Sequence, residues 1–273
     1  MIDILLSTYN GERYISELLD SFKSQNYKDF RILIRDDISS DNTVEIIENF
    51  KENNNINIKI IKDNKGNLGS TGSFNELLKY VTADYFMFCD QDDVWCPDKI
   101  SQSIKAIREL ENKNTPILPC LVFTDLYITD SNLNIISDSF IRYNKLDTKV
   151  IKEKDISKTL SLSVAPGCTM IMNKTCLKYI KNIPSFVTHD FWAIIMIVKY
   201  GIVEYLDIPT IMYRQHSNNV IGANLSGYKY MLYKIKKFNK WISTYYKLFK
   251  ILPFKVSITK FIFWKLYYII KRL

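Results

Sequence analysis

Along the first ~110 residues, short β-rich runs alternate with segments whose apolar positions recur at helical spacing. Ile2–Ser7 reads as a strand. Arg13–Gln25 reads as a helix, because Ile15, Leu18, Leu19 and Phe22 fall at i, i+3, i+4 and i+7 and share one face. The pattern continues with a strand at Phe30–Arg35 and a helix at Thr43–Phe50, for which Ser40 and Asp41 are capping candidates. A strand at Ile56–Ile61, a helix at Ser73–Tyr80 and a strand at Tyr85–Cys89 follow, and Pro97 opens a helix to about Leu110. This alternation predicts an α/β fold with a mostly parallel central sheet and helices on its faces. Further on, Leu121–Ile128 and Thr169–Met172 read as strands, Asp190–Lys199 as a helix, and Val203–Met212 as a strand broken by Pro209.

The end of the chain is patterned differently. From Tyr228 to Leu252, Met231, Ile235, Phe238, Ile242, Tyr245 and Phe249 recur at spacings of 4, 3, 4, 3 and 4, which predicts an amphipathic helix. Lys229, Lys236, Lys237, Lys240, Lys247 and Lys250 gather on its other side, and Pro253 should end it. Phe254–Leu273 is aromatic and basic, but its lysines do not collect on one face.

Charge sharpens that contrast. The chain carries a net +8, yet residues 224–273 hold 12 Lys and Arg and no acidic residue, so the remainder is net −4. A mildly acidic body with a basic tail points to a polyanionic partner. An anionic membrane surface fits, as does a helix packed on the body with a solvated basic side. Nucleic acid is not expected, because no recognised binding motif accompanies the charge. The odd number of cysteines, five, without a CxxC pair argues against a disulfide framework or a zinc site. The start has no signal-peptide pattern, and no apolar stretch approaches the ~18 residues of a membrane span. A cytoplasmic protein is the expectation.

Candidate chemistry lies at the carboxyl ends of the strands, where open α/β sheets bind ligands. Polar residues follow four of them: Ser7 to Glu12, Asp36 to Asp41, Asn64 to Gly72, and Asp90-Gln91-Asp92-Asp93. The last set places three carboxylates within four residues after an apolar strand. Such mutual repulsion is costly unless a cation neutralises it, and oxygen donors favour Mg²⁺ or Mn²⁺. An exposed acidic turn capping the next helix is the alternative.

Ser7-Thr8-Tyr9-Asn10-Gly11-Glu12, Arg35-Asp36-Asp37 with Ser39-Ser40-Asp41, Gly66-Asn67-Leu68-Gly69 and Asp90-Gln91-Asp92-Asp93-Val94-Trp95 together resemble the family 2 glycosyltransferases of GT-A fold. The resemblance covers roughly residues 1–223 and implies a GT-A catalytic domain there, with a nucleotide-sugar-binding half at 1–110, an acceptor-binding half at 111–223 and a helical basic tail at 224–273. It implies that Thr8, Tyr9 and Glu12 border the base and ribose, that Asp37 bonds the base, and that Asn67, Gly69, Asp90 and Gln91 lie near the donor. It also implies a Mn²⁺ or Mg²⁺ ion on Asp92 and Asp90, with Asp93 able to serve instead. Ile38 departs from the pattern, since many relatives carry a small residue there, often glycine.

The same resemblance places a catalytic carboxylate at Thr188-His189-Asp190-Phe191-Trp192, making Asp190 the general base. Residues of this kind also cap helices. Tyr213-Arg214-Gln215-His216, continuing to Gly222, resembles a run in bacterial rhamnosyltransferases, which implies Arg214 or His216 toward the diphosphate and His216 within reach of the metal. Pro166-Gly167-Cys168-Thr169-Met170 resembles the acceptor-side segment. The implied activity is an inverting transfer, with rhamnose from dTDP-rhamnose as the favoured donor, to an acceptor hydroxyl in bacterial surface polysaccharide synthesis. A lipid-diphosphate-linked acceptor and a peripheral position on the inner face of the plasma membrane fit the basic tail. The alternatives are a hexosyltransferase using a UDP-sugar, a sugar-nucleotide pyrophosphorylase and a non-catalytic nucleotide-sugar-binding membrane protein. The pyrophosphorylase normally has a glycine-rich basic signature, whereas Ser7–Glu12 holds one glycine and no lysine.

Overall fold

Strands that are apolar on both sides demand a sheet covered on both faces, and that is the architecture of the computed structural model, which describes residues 1–114, 118–216 and 238–271. Nine strands among the described residues form one sheet: β1 (Ile2–Thr8), β2 (Phe30–Asp36), β3 (Ile58–Ile60), β4 (Tyr85–Cys89), β5 (Val94–Trp95), β6 (Cys120–Thr129), β7 (Ile135–Ser137), β8 (Met170–Asn173) and β9 (Ile202–Arg214). Their order is β3-β2-β1-β4-β8-β6-β9-β5, with β7 paired to β6. The pairs β1–β2, β1–β4 and β2–β3 are parallel, as the alternating pattern of the first ~110 residues anticipated, and β6–β9 is parallel too. β8 enters antiparallel between β4 and β6, and β5 and β7 are also antiparallel to their neighbours.

The helices are α1 (Ile15–Lys23), α2 (Thr43–Asn53), α3 (Gly69–Leu77), α4 (Lys99–Asn112), α5 (Phe140–Tyr143), α6 (Lys149–Lys152), α7 (Ile156–Ser161), α8 (Leu177–Ile180), α9 (His189–Tyr200), α10 (Phe238–Ile251) and α11 (Ile258–Lys271). The two-residue period of a strand divides the core between them. Ile4, Leu6, Met87, Cys89 and Val122 pack with Ile15, Leu18 and Phe22 of α1 and Ile100, Ile104 and Ile107 of α4. Leu5, Phe86, Phe88, Leu121 and Phe123 pack with Phe74 of α3, Leu160 of α7 and the apolar residues Trp192–Val198 of α9.

Two boundaries differ from the sequence expectation for tertiary reasons. α3 starts at Gly69, ahead of Ser73, because the Asp37 carboxylate accepts from the backbone N–H groups of Leu68 (2.7 Å) and Gly69 (2.8 Å). An anion there satisfies first-turn donors and complements the helix dipole. β9 is not ended by Pro209: its pairing with β6 steps from Leu206 to Pro209, and this bulge accommodates a residue that cannot donate to the ladder.

The tail is docked on the body. Trp241, Tyr245, Leu248 and Phe249 of α10, then Leu252, join the core cluster of α7 and α9, as do Phe261, Trp264 and Tyr268 of α11. Tyr245 Oη donates to Leu160 O at 2.9 Å and Lys265 Nζ to Ser161 O at 2.9 Å. α10 ends at Ile251, before Pro253. The expected helical stretch from Tyr228 to Lys237, with Met231 and Ile235, lies outside the described residues. No helix among the described residues is long and apolar enough to cross a membrane.

Candidate active site

The ends of β1, β2 and β4 lie side by side, so their polar extensions interlock. Thr8 Oγ1 donates to Asp36 at 2.9 Å, and Asp37 N donates to Thr8 O at 2.8 Å. Tyr9, half exposed, is clasped by Gln91: Tyr9 N donates to Oε1 (2.8 Å) and Gln91 Nε2 donates to Tyr9 O (2.9 Å). Gly11 is required for this contact, because a Cβ there would stand 2.4 Å from Gln91 Oε1. Glu12 faces α2, where Oε2 accepts from Asn42 N and Nδ2, both at 3.0 Å.

Asp37 is buried, and both of its oxygens are engaged: Arg35 at 2.5 Å and Leu68 N on Oδ1, Gly69 N on Oδ2. A bond from the Asp37 carboxylate to a base would therefore share it with three groups that hold the chain together, while Asn67 Nδ2 donates to the backbone Asp37 O at 3.0 Å. Arg35 also forks onto Asp63, a partner that sequence spacing gave no means of finding. Gly69 adopts φ +68, and a Cβ there would meet nothing within 4 Å, so its α-carbon borders open space. Ile38 keeps the left-handed turn that suits glycine, at φ +67.

The acidic loop after β4 has three environments. Asp92 Oδ2 lies 2.9 Å from His216 Nε2. Asp90 is partly buried, and burial, then the charges of Asp92 and Asp190, push its carboxyl up to about 7. Asp93 is fully buried, and its Oδ2 has no hydrogen-bond partner among the described residues. Burial, then Asp92 and Asp90, hold the Asp93 carboxyl well above the usual range. Asp90, Asp93 and Cys168 offer donor atoms within 4.8 Å of one another. A divalent cation fits this set: clustered carboxylates, one buried oxygen without a partner, and His216 at the rim. Cys168 is a poor member for a hard cation, and burial raises its thiol well above the ordinary value, so it stays protonated.

Arg214 sits behind the loop, buried, with each of its three nitrogens donating to protein: Nε to Asp92 O (3.0 Å), Nη1 to Ser131 O (2.6 Å) and Nη2 to Glu17 (2.7 Å). Its guanidinium lies over the Tyr14 ring at 4.5 Å, and His216 packs on the same ring at 4.9 Å. The structure thus gives Arg214 a bracing position behind the acidic loop. Glu17 and Tyr14 were missed because nothing local links α1 to the end of β9. The rest of the run, Ser217 to Gly222, lies outside the described residues.

Asp190 is in the first turn of α9 and accepts from Phe191 N at 2.7 Å. It approaches the acidic loop across the Gly167–Cys168 turn, where Cys168 lies within 4.8 Å of Asp90 and Asp93. Gly167 permits that approach, since a Cβ there would stand 2.5 Å from His189 Nε2 and 3.3 Å from Asp190 Cβ. His189 is stacked on Phe74 at 3.9 Å, and burial lowers its imidazole to about 4, so it is neutral at ordinary pH. The sequence-derived residues therefore gather in one place, where Asp37, Glu12 and Arg214 also hold neighbouring loops together.

Fold and site together define a glycosyltransferase of GT-A architecture. The family model for Glycosyl transferase family 2 matches residues 3–178. The dTDP-rhamnosyl transferase RfbG of Shigella flexneri is 33% identical over 237 residues, which cover 81% of this chain and 75% of that one. The chain therefore belongs to glycosyl transferase family 2, and it is an enzyme that uses a nucleotide sugar. Two solved structures share the fold. S. aureus TarS 1-349 in complex with UDP-GlcNAc has a TM-score of 0.58 at 17% identity, covering 100% of this chain and 81% of that one. The mannosyltransferase PcManGT from Pyrobaculum calidifontis, in complex with GDP-Man and Mn²⁺, has a TM-score of 0.62 at 14% identity, covering 98% of this chain and 69% of that one.

Proposed function

We propose that this protein is an inverting rhamnosyltransferase that moves rhamnose from dTDP-rhamnose to an acceptor hydroxyl, with Asp190 as general base. The observation that carries the catalytic part is that Asp190 and the acidic loop meet at one turn: the α-carbon of Gly167 lies so close to Asp190 that a Cβ there would stand 3.3 Å from Asp190 Cβ, and the next residue, Cys168, has its sulfur within 4.8 Å of Asp90 and Asp93. The choice of donor is supported by the likeness to the Shigella dTDP-rhamnosyl transferase.

Thr8, Tyr9, Asn67, Gly69 and Gln91 border the nucleotide, with the Tyr9 ring and the open space at Gly69 available to it. Asp92, Asp90 and His216 would hold Mn²⁺ or Mg²⁺, with Asp93 beneath. When bound, the ion offsets the charge of the departing diphosphate. Asp190 takes the proton of the acceptor hydroxyl as its oxygen bonds to the anomeric carbon and the bond from that carbon to the diphosphate breaks. A single displacement inverts the configuration. The neutral His189 ring fixes the start of α9 without competing for that proton. The acceptor is a glycan, carried on a lipid diphosphate at the cytoplasmic face of the plasma membrane.

The test is release of nucleoside diphosphate from dTDP-rhamnose and from UDP-hexoses, with Mn²⁺ or Mg²⁺ and with EDTA. Turnover of dTDP-rhamnose that EDTA abolishes is expected. Preference for a UDP-hexose would overturn the donor assignment, and pyrophosphate-dependent formation of nucleoside triphosphate would make the protein a pyrophosphorylase. Asp190→Asn should keep donor affinity and lose about 10²–10⁴-fold in transfer. Unchanged transfer would remove Asp190 as the base.

A further inference from the structure

The sequence pattern assigned the tail's apolar side to α10, and the structure packs Tyr245 and Phe249 of that side on the core while Ile242 stays exposed. What remains outside belongs mainly to α11. Ile258, Ile262, Phe263, Leu266, Tyr267 and Ile270 are all between 44% and 68% exposed. At about 100° per residue these six cover one continuous half of the helix. The other half packs on the body through Phe261, Trp264 and Tyr268. α11 is thus apolar all round, which explains why no amphipathic pattern was legible in it. Six exposed large apolar residues on a 14-residue helix form a patch, unlike the single exposed apolar residues that any surface carries.

Charge identifies the occupant. Lys255 and Lys260 are exposed beside the stripe, and Lys247 and Lys250 are exposed on α10. No acidic residue occurs anywhere in 224–273. Asp147 of the body pairs with Lys271 at the far end of α11 (3.9 Å), but Lys255, Lys260, Lys247 and Lys250 are exposed, and an apolar stripe with such a lysine border suits an anionic phospholipid surface, where side chains enter the acyl boundary and lysines meet phosphates. A second copy of this chain would bring the same uncompensated positive charge to the contact. α11 cannot cross the bilayer, so it lies in the interface plane.

We infer that the outward face of α11 docks this protein on an anionic membrane surface. The opposite, inward side of α11 is tied to the start of α9: Phe261 packs on Tyr245 of α10 with ring centroids 4.7 Å apart, and Tyr245 on Phe191, next to Asp190, at 6.4 Å. Lys247 lies 6.0 Å from the ring of Phe186, an exposed residue in the loop that leads into α9. Docking of this face does not rest on the proposed transfer.

The experiment is co-sedimentation of the full chain with vesicles of phosphatidylcholine alone and with about 30% phosphatidylglycerol. Binding to the anionic vesicles, weakened by salt, is expected. The double variant Phe263→Ser/Ile270→Ser should bind at least about tenfold more weakly, because both side chains are exposed and contribute chiefly to transfer into lipid. Lys255→Glu/Lys260→Glu should lose the preference for anionic vesicles. Circular dichroism and release of nucleoside diphosphate in solution should match wild type for both variants, which separates failed docking from a failed enzyme. Equal binding by the Phe263/Ile270 variant, or absence of wild-type binding to anionic vesicles, would overturn the inference. A wild-type dimer in light scattering that this variant dissociates would assign the face to a second copy.

Discussion

Substituting Arg214 by lysine separates bracing from donor contact. The guanidinium serves Asp92 O, Ser131 O and Glu17 at once, and only a fork can do so. Lysine keeps the charge and can reach one of these groups. The Glu17 pair is discounted, because the Glu17 side chain is 49% exposed and solvent screens it. One charged hydrogen bond to a carbonyl is then lost outright, at about 1.5–3 kcal/mol, along with part of the stacking on Tyr14. A net loss of about 2–4 kcal/mol follows, equivalent to a fall in Tm of roughly 4–8 °C for a chain of this size. Donor affinity should fall as well, because Asp92 O is no longer anchored and the loop that presents its carboxylate loosens. The assays are thermal unfolding without ligand, and calorimetric titration of dTDP with Mn²⁺. An unchanged Tm with impaired dTDP binding would refute the bracing argument and return Arg214 to the diphosphate.

Two further predictions concern stability. Folded His189 resists protonation until about pH 4, whereas the unfolded imidazole charges near pH 6.5. Stability is therefore complete above about 6.5 and lost as pH falls toward 4, by at most about 3 kcal/mol. Urea unfolding should show this slope in wild type and a flatter one in His189→Phe; equal slopes would reject the buried-neutral assignment. Ile38→Gly should raise stability by about 0.5–1 kcal/mol, since a β-branched residue at positive φ is strained by about 1–2 kcal/mol and the added freedom of the unfolded glycine cancels part of the gain. A lower Tm would mean that the contact of Ile38 over Gly66 outweighs the strain.

The parallel half of the sheet was legible because buried strands are unbroken apolar runs, and the site because its residues follow those runs directly. β5 and β7 were not, since strands of two and three residues carry no periodicity. The antiparallel insertion of β8 was also hidden, because local pattern sets a strand's existence and not its neighbour. Within the site, residue types were readable but duties were not. Asp37 could face a ligand or cap α3, and only the turn 30 residues on decides. Arg214 could meet phosphate or carbonyls, and its partner Glu17 is 197 residues away. For the tail, the lysine side of α10 was read correctly at Lys247 and Lys250, whereas Ile242, assigned to the apolar side, is 46% exposed.

β9 ends at Arg214, and His216 follows two residues later, so the acidic loop gets its brace and its imidazole from the last stretch of the catalytic body. A nascent chain that has emerged as far as β5 already carries every aspartate of that loop. It lacks β8, the strand that shields the β4 edge, and β9, which secures the turn. The acidic loop therefore gains its brace and its imidazole only once β9 and the two residues after it have joined the sheet.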